Sequence, residues 1–245
     1  MNMIEIKKHD GPARLGKYSE METPAIVGKE HSLNILKDEP MPYNVPKTLA
    51  AWSVKCTVEN ASLSDENGIA VVHGSKYPDL RVECAKKLEK LGNTVLMIAN
   101  PEELMKRPRD LVEIIVKIRE TINPNTAIYY PFAEPAYIPL LTYMGVDLFD
   151  SVAGDFYASL NTLLTTSMKY DLHEYKLYDM NLEELRNYNK KTMDFTVREV
   201  QEHINNGTLR NLVEERCCSS PEAMTALRIL DRDHADFIDK YTQLY

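Results

Sequence analysis

The sequence predicts an α/β fold: parallel strands alternating with helices, followed by an all-helical C-terminal portion. Three observations predict it. From Gly68 onward, short apolar runs alternate with amphipathic segments at a spacing of roughly 20–30 residues, the signature of βαβ units. The runs are apolar throughout, as expected of strands covered on both faces. After Ala153 the strand pattern stops and helical periodicity takes over.

The elements follow in order. Residues 3–28 read as β structure, with apolar and polar residues alternating around the turn-forming His9-Asp10-Gly11-Pro12. Residues 29–67 are rich in Pro and polar side chains. One short strand is expected there, near Trp52–Val58, and no regular element over Lys37–Lys47. GIAVVHG (68–74) is the first buried strand. PDLRVECAKKLEKLG (78–92) is a helix with Pro at its start, Leu80, Cys84, Leu88 and Leu91 on one face, and Gly92 as its cap. TVLMIA (94–99), AIYYPF (127–132) and VDLFDS (146–151) are further strands. The helices between them are PRDLVEIIVKIRETI (108–122) and PAYIPLLTYMG (135–145). Leu182–Asn206 reads as one long amphipathic helix ending at Gly207, and helices over 209–217 and 221–245 finish the chain.

Four such units are too few for a closed eight-stranded barrel, which takes about 250 residues by itself. Either the sheet is open or the barrel is abbreviated.

The 245 residues, 44% hydrophobic and 27% charged, suit one ordinary domain with a sizeable core. No run of about eighteen apolar residues marks a membrane span, and the start MNMIEIKKHDG lacks the apolar stretch of a secretory signal. The 4 cysteines, with Cys217 and Cys218 adjacent, form neither a disulfide framework nor a CxxC metal pair. A cytoplasmic location is expected. With 29 Lys+Arg against 37 Asp+Glu, the net charge of −8 argues against a nucleic-acid binder working alone. The local clusters Lys86-Lys87-Lys90, Lys106-Arg107-Arg109 and Arg186-Lys190-Lys191 are either solvated helix faces or a patch.

Ligands of parallel α/β folds bind at the carboxyl ends of strands. There the sequence places His73-Gly74-Ser75, Ala99-Asn100, Phe132-Ala133-Glu134 and Asp150-Ser151, with Asp147 and Asp155 nearby. Asp150 is the sharpest candidate, as nucleophile or general base; the competing reading is a loop aspartate held by backbone N–H groups. His73 is a candidate acid, base or donor, or a structural histidine. No phosphate-loop, dinucleotide, zinc-protease or serine-hydrolase motif is present. Cys217-Cys218 reads as helix packing. The tyrosines of 170–188 could stack bases or line a helix–loop interface.

Several segments together resemble the tRNA-guanine transglycosylase superfamily. They are HDGPARLGKYSEMETPAIV (9–27), HGSKYPDLRVECAKKL (73–88), the stretch from Pro108 to Ser151 ending GVDLFDS, and HINNGTLRNLVEERCCSSPEAMTALRILD (203–231). Within the superfamily the similarity is greatest to the transglycosylase-like N-terminal part of archaeosine synthase. The resemblance implies a (β/α)8 TIM-type barrel, here abbreviated or degenerate, with an N-terminal β-hairpin and a helical C-terminal portion. It implies a division into a barrel body (1–155) and a barrel-completing helical part (156–245). It also implies exchange of a guanine in tRNA for a deazaguanine through a ribosyl-aspartate, with Asp150 at the nucleophile position. His73, Gly74, Ser75, Asn100 and Asp147 fall at or near substrate-binding positions.

The departures carry equal weight. The family's early Asp-Ser-Gly segment is missing, and the region 48–68 is shortened where it should lie. The Gly-Gly approached by the heterocycle reads as Ala99-Asn100, whose side chains crowd that approach, and the usual Gln reads as His73. The Cys-x-Cys-x-x-Cys of the family's zinc site should fall between Tyr170 and Leu185, where no cysteine stands. Its histidine reads as Tyr188, followed by the matching Asn189. No zinc and no other cofactor is expected.

Archaeosine synthases also carry a C-terminal catalytic region and an RNA-binding PUA domain, and the sequence to Tyr245 contains neither. The expected function is therefore that of a transglycosylase-like subunit of the archaeosine pathway, without base exchange of its own. It would act with a second polypeptide carrying the synthase and PUA regions, reach tRNA through that complex and touch no membrane. The alternatives are an active minimal transglycosylase, using Asp150 with Asp147 or Asp155 as second acid, and a non-enzymatic tRNA- or protein-binding scaffold.

Overall fold

The computed structural model describes residues 3–28, 34–64 and 68–241. The chain opens with β1 (Glu5–Asp10), β2 (Ala13–Tyr18) and β3 (Met21–Thr23), an antiparallel sheet in the order β1-β2-β3. Gly11 makes the first turn at φ 59°, in the left-handed region that Gly enters without steric cost. β4 (Ala25–Val27) then leaves this sheet for a second one.

That second sheet is parallel and has 5 strands in the order β4-β8-β7-β6-β5. Here β5 is Ile69–Val72, β6 Val95–Ile98, β7 Ala127–Tyr130 and β8 Leu148–Asp150. Beyond β5, Ile35 forms an isolated parallel bridge to Ile69. Among the described residues, no pairing joins that bridge to β4. The strands sit where the sequence places them but are shorter, because their apolar runs continue into turns outside the ladder.

Helices cover one face of this sheet. They are α1 (Lys47–Ser62), α2 (Pro78–Lys90), α3 (Pro101–Met105), α4 (Pro108–Thr121), α5 (Ile138–Tyr143) and α6 (Val152–Ser159). Ala70, Val72, Leu96, Ile98, Ile128, Tyr130 and Phe149 point into the core they share with the sheet. The opposite face carries Ile69, Val95, Ala127, Tyr129, Leu148 and Ala25, packed against Ile4, Tyr18 and Met21 of the N-terminal segment. This two-residue alternation makes both faces apolar.

Two expectations are corrected. The strand near Trp52–Val58 is part of α1. Ala50, Val54, Thr57 and Ala61 are buried at helical spacing, and tertiary packing of that face overrides the β preference of Val54 and Val58. Strands also do not stop after Ala153: β9 (Thr162–Leu164) and β10 (Lys169–Asp171) form a short antiparallel hairpin. Six strand residues in total leave too little alternation to read from the sequence.

The long helix α7 (Leu182–Asn206) has its expected bounds, set by an Asn181–Glu184 capping box and by Gly207 at φ 67°. α8 (Leu209–Cys217) follows. The final helix is divided at His234 into α9 (Pro221–Asp233) and α10 (Ala235–Tyr241). Met193, Val197, Leu212 and Leu230 of these helices join the same core as α4 and α5, so burial is continuous across residue 155.

Candidate active site at the carboxyl edge of the parallel sheet

Strand register decides which residues meet. Val71, Met97, Tyr129, Leu148 and Ala25 pair as one row across the sheet. Two residues further on, Asp150 pairs with Val27, and His73, Ala99 and Pro131 directly follow the carboxyl ends of β5, β6 and β7. Asp150 and His73, 77 positions apart, thus both stand at the carboxyl edge of one sheet.

Asp150 is 8% exposed. Its Oδ2 accepts from the Tyr129 hydroxyl at 2.9 Å, while Oδ1 accepts from the backbone N–H of Phe132 at 3.3 Å and of Val152 at 2.9 Å. Burial, and then the Asp150 charge, push the Tyr129 phenol well above its usual range, so it stays a donor. Phe132 makes its bond from a left-handed conformation, φ 60°. An aromatic residue there is a real outlier, of the kind that gathers at functional sites. Ser75 (φ 51°) and Asn100 (φ 56°) share that conformation at the ends of β5 and β6.

His73 is 3% exposed, and its Nε2 lies 2.7 Å from Asp38 Oδ2. Burial holds its pKa below the ordinary value, against the opposing pull of Asp38. Its Nδ1 is buried without a hydrogen-bond partner.

Ser75 and Asn100 do something other than face a ligand. The Ser75 hydroxyl donates to the Pro42 carbonyl at 3.0 Å, and the Asn100 amide to the Met41 carbonyl at 3.0 Å. With the Tyr77 hydroxyl on Val45 O, they fasten residues 38–45 across the ends of β5 and β6. Arg81 supports the arrangement from below. Fully buried, it donates to the carbonyls of Ser75, Val72 and Ala99 and to Asn100 Oδ1. Burial lowers its pKa to about 10, which leaves it charged. Gly74 is obligatory beside it: φ is +143°, and a Cβ would stand 2.6 Å from the Arg81 backbone nitrogen.

Asp147 does not join this edge. It precedes β8, with its side chain wholly buried. Its carboxylate accepts from Arg14 Nε at 2.6 Å, Arg14 Nη2 at 2.7 Å and the Ile128 N–H at 2.8 Å. Three residues before Asp150 in the sequence, it belongs to the amino end of the strand and to the hairpin. Asp155 sits on α6 paired with Lys190 at 3.2 Å. Neither supplies a second acid beside Asp150.

The donor set for the family's zinc does not fit here. Cys56, Cys84, Cys217 and Cys218 lie outside the segment, and among the described residues no group of three or more His, Cys, Asp or Glu could hold a metal ion. A buried amide does the fastening. Asn189 Oδ1 accepts from the Leu164 N–H at 2.8 Å, and Nδ2 donates to the carbonyls of Gly154 at 3.2 Å and Thr162 at 3.0 Å. It ties the β9–β10 hairpin to α6 and α7. Tyr170 and Tyr175 pack edge to face and Tyr178 leans on Tyr188. The basic clusters are largely paired, as in Lys87–Glu83, Lys106–Glu102 and Arg109–Asp233.

Sequence reasoning missed Tyr129, Asp38 and Arg81. Tyr129 was detectable, since it sits at a β7 end on the face shared with Asp150; Asp38 was not, because it reaches the site from a segment with no periodicity.

Residues 35–190 match the family model described as queuine tRNA-ribosyltransferase. The chain is similar to the archaeosine synthase of Methanocaldococcus jannaschii, 42% identical over 125 residues that cover 51% of this chain and 21% of that protein. It is also similar to the tRNA-guanine(15) transglycosylase of Methanothermobacter thermautotrophicus, 30% identical over 270 aligned positions, covering 96% of this chain and 41% of the relative. For the tRNA-guanine(15) transglycosylase of M. jannaschii the identity is 28%, with 94% and 41% covered. The chain therefore spans less than half the length of these relatives. With more than half of its residues inside the family match, the chain belongs to the queuine tRNA-ribosyltransferase family.

Proposed function

We propose that the chain is the transglycosylase-like component of a tRNA-modifying enzyme of the archaeosine (7-deazaguanine) pathway, without base exchange of its own. It works in the cytoplasm with a separate polypeptide carrying the synthase and PUA regions, and it meets tRNA through that complex. Residues 1–155 are the body of an abbreviated barrel, and 156–245 complete it with helices and no zinc.

One observation carries this reading. Asp150 lies at the strand end where the resemblance puts the nucleophile, and none of the groups hydrogen-bonded to its carboxylate (the Tyr129 hydroxyl and the Phe132 and Val152 N–H groups) is a second carboxyl. Base exchange needs one group to attack the anomeric carbon and another to handle the base. Here Asp147 and Asp155 are committed to Arg14 and Lys190. Ser75 and Asn100 bind the segment 38–45. The net charge of −8 suits a chain that depends on a partner for its polyanion.

The Asp150–Tyr129 hydrogen bond at the strand end favours a second reading, an active minimal transglycosylase with Asp150 as nucleophile. Incubation of the purified chain with tRNA and labelled guanine separates the two. No incorporation supports the first reading; incorporation that disappears in Asp150→Ala establishes the second. Affinity purification from the native host tests the partner. A PUA-bearing synthase fragment is expected, and its absence leaves the non-enzymatic scaffold.

A further inference from the structure

We propose that the cavity between the β9–β10 hairpin and the start of α9 binds an aliphatic diamine, with Glu134 and Glu222 as counter-ions for its two ammonium groups. The inference goes beyond the reading above and depends on neither Asp150 nor a partner polypeptide.

The cavity holds about 410 Å³, within the range of small-molecule sites. Its walls come from the end of α3, the turn Pro135–Tyr137, Tyr157 of α6, the β9–β10 hairpin and the first residues of α9. Met105, Pro135, Leu164 and Met168 give it an apolar lining on which a methylene chain can lie.

One end already seats an ammonium. Lys169 Nζ lies 4.9 Å from the centre of the Tyr157 ring, 2.7 Å from Glu134 Oε1 and 3.2 Å from the Tyr157 hydroxyl oxygen. The Tyr157 hydroxyl donates to the same Glu134 oxygen. A carboxylate beside an aromatic face is the arrangement that recognises an alkyl ammonium. The Lys169 side chain is 49% exposed, and an ion pair so open to water contributes little. A ligand ammonium can therefore take its place at small cost.

The other end carries a carboxylate that no Lys or Arg neutralises among the described residues, Glu222. Its Oε2 accepts from the Ser220 hydroxyl at 3.0 Å, and Ser220 Oγ lies 3.3 Å from the Tyr137 hydroxyl. Burial raises the Tyr137 phenol above its ordinary pKa against the pull of the Ser220 bond, and the charges of Glu222 and Glu134 add to the rise. Both carboxylates thus act on one hydroxyl in the cavity wall. The third, Glu102, is held by Lys106 at 2.6 Å. An anion is disfavoured, because Glu222 stands in the first turn of α9 and opposes the positive end of that helix. A chain with a cation at each end meets both carboxylates, whereas a monoamine meets one.

Calorimetric titration of the full chain with 1,4-diaminobutane and 1,6-diaminohexane tests the site, alongside NMR of carbon-13-labelled methionine methyls. At least one diamine should bind and shift the Met105 and Met168 signals, with the matching monoamine about tenfold weaker. Glu222 is exposed, so Glu222→Gln should fold normally and bind the diamine about tenfold more weakly. Lys169→Met releases Glu134 and should bind it about threefold more tightly. Lys117→Met removes an equal charge from the Glu113 pair on α4, outside the cavity, and should leave the affinity unchanged.

No binding of either diamine, a monoamine as tight as its diamine, unmoved Met105 and Met168 signals, unchanged affinity in Glu222→Gln, or equal tightening in Lys117→Met and Lys169→Met overturns the site. None of these readouts moves if the split-enzyme reading falls.

Discussion

Arg14 and Asp147, 133 residues apart, meet in a buried two-bond fork, Nε to Oδ1 at 2.6 Å and Nη2 to Oδ2 at 2.7 Å. The fork bolts the N-terminal hairpin to the amino end of the parallel sheet. Arg119 adds a third charge, 3.8 Å from Asp147 Oδ2. Burial, and then Arg14, lower its pKa to about 9.

Asp147→Asn should therefore cost about 3–5 kcal/mol, because it leaves two buried guanidinium groups without their carboxylate. Urea denaturation gives the number. Replacing Arg14 and Asp147 together by Met and Leu should cost less than Asp147→Asn alone, and a larger loss would contradict the account.

Tyr129→Phe removes the one hydroxyl on Asp150 and leaves its two backbone donors. A hydrogen bond to a charged group contributes about 1.5–3 kcal/mol, and that is the expected loss in the same denaturation experiment. The Tyr129→Phe chain should remain folded, since the ring's packing against Leu148 and Ala127 is untouched.

Asn189→Ala should destabilise the chain by about 3 kcal/mol, since it strands one buried N–H and two carbonyls. Incubation with EDTA should leave the wild-type melting temperature unchanged. A chelator-induced drop would show that a metal, rather than the amide, fastens the hairpin.

Gly74→Ala combines a dihedral strained for any L side chain, costing about 1–3 kcal/mol, with a 2.6 Å clash against the Arg81 backbone nitrogen. Thermal melting should show a loss larger than the dihedral cost alone. Asn100 and Ser75 lose their hold on the segment 38–45 in the same variant, which limited proteolysis can report.

Acid should weaken the fold through two histidines. His73 and His9 both have pKa values below 6.5, chiefly from burial. The unfolded chain binds a proton on each near pH 6.5 while the folded chain does not, so stability is full above that pH and falls as pH drops through it. Asp38, Glu39 and Arg81 surround His73, and Arg14 and Asp147 surround His9. Unfolding free energies at about pH 7.5, 6 and 5 should decline in the wild type and decline less steeply in His73→Gln, which leaves only the His9 part.

The parallel strands, the helices between them and the long helix over Leu182–Asn206 were legible in the sequence. Runs such as IAVV and AIYY bury both faces, and Asn181, Glu184 and Gly207 mark helix ends by local hydrogen bonding. Asp150 was legible as a strand-end carboxylate. These are short-range properties, settled within a few residues of each position.

What tertiary structure alone decided is the use of each polar group. Asp147 and Asp150 stand three residues apart, yet one closes a fork with Arg14 and the other accepts from Tyr129. Register and the far-off hairpin, not spacing, made that division. Likewise His73 acquires its partner from a segment 35 positions earlier, and Ser75 and Asn100 are turned to backbone carbonyls of that segment. A buried polar side chain takes whichever partner folding brings to it, and contacts between distant segments leave no periodic trace in either one.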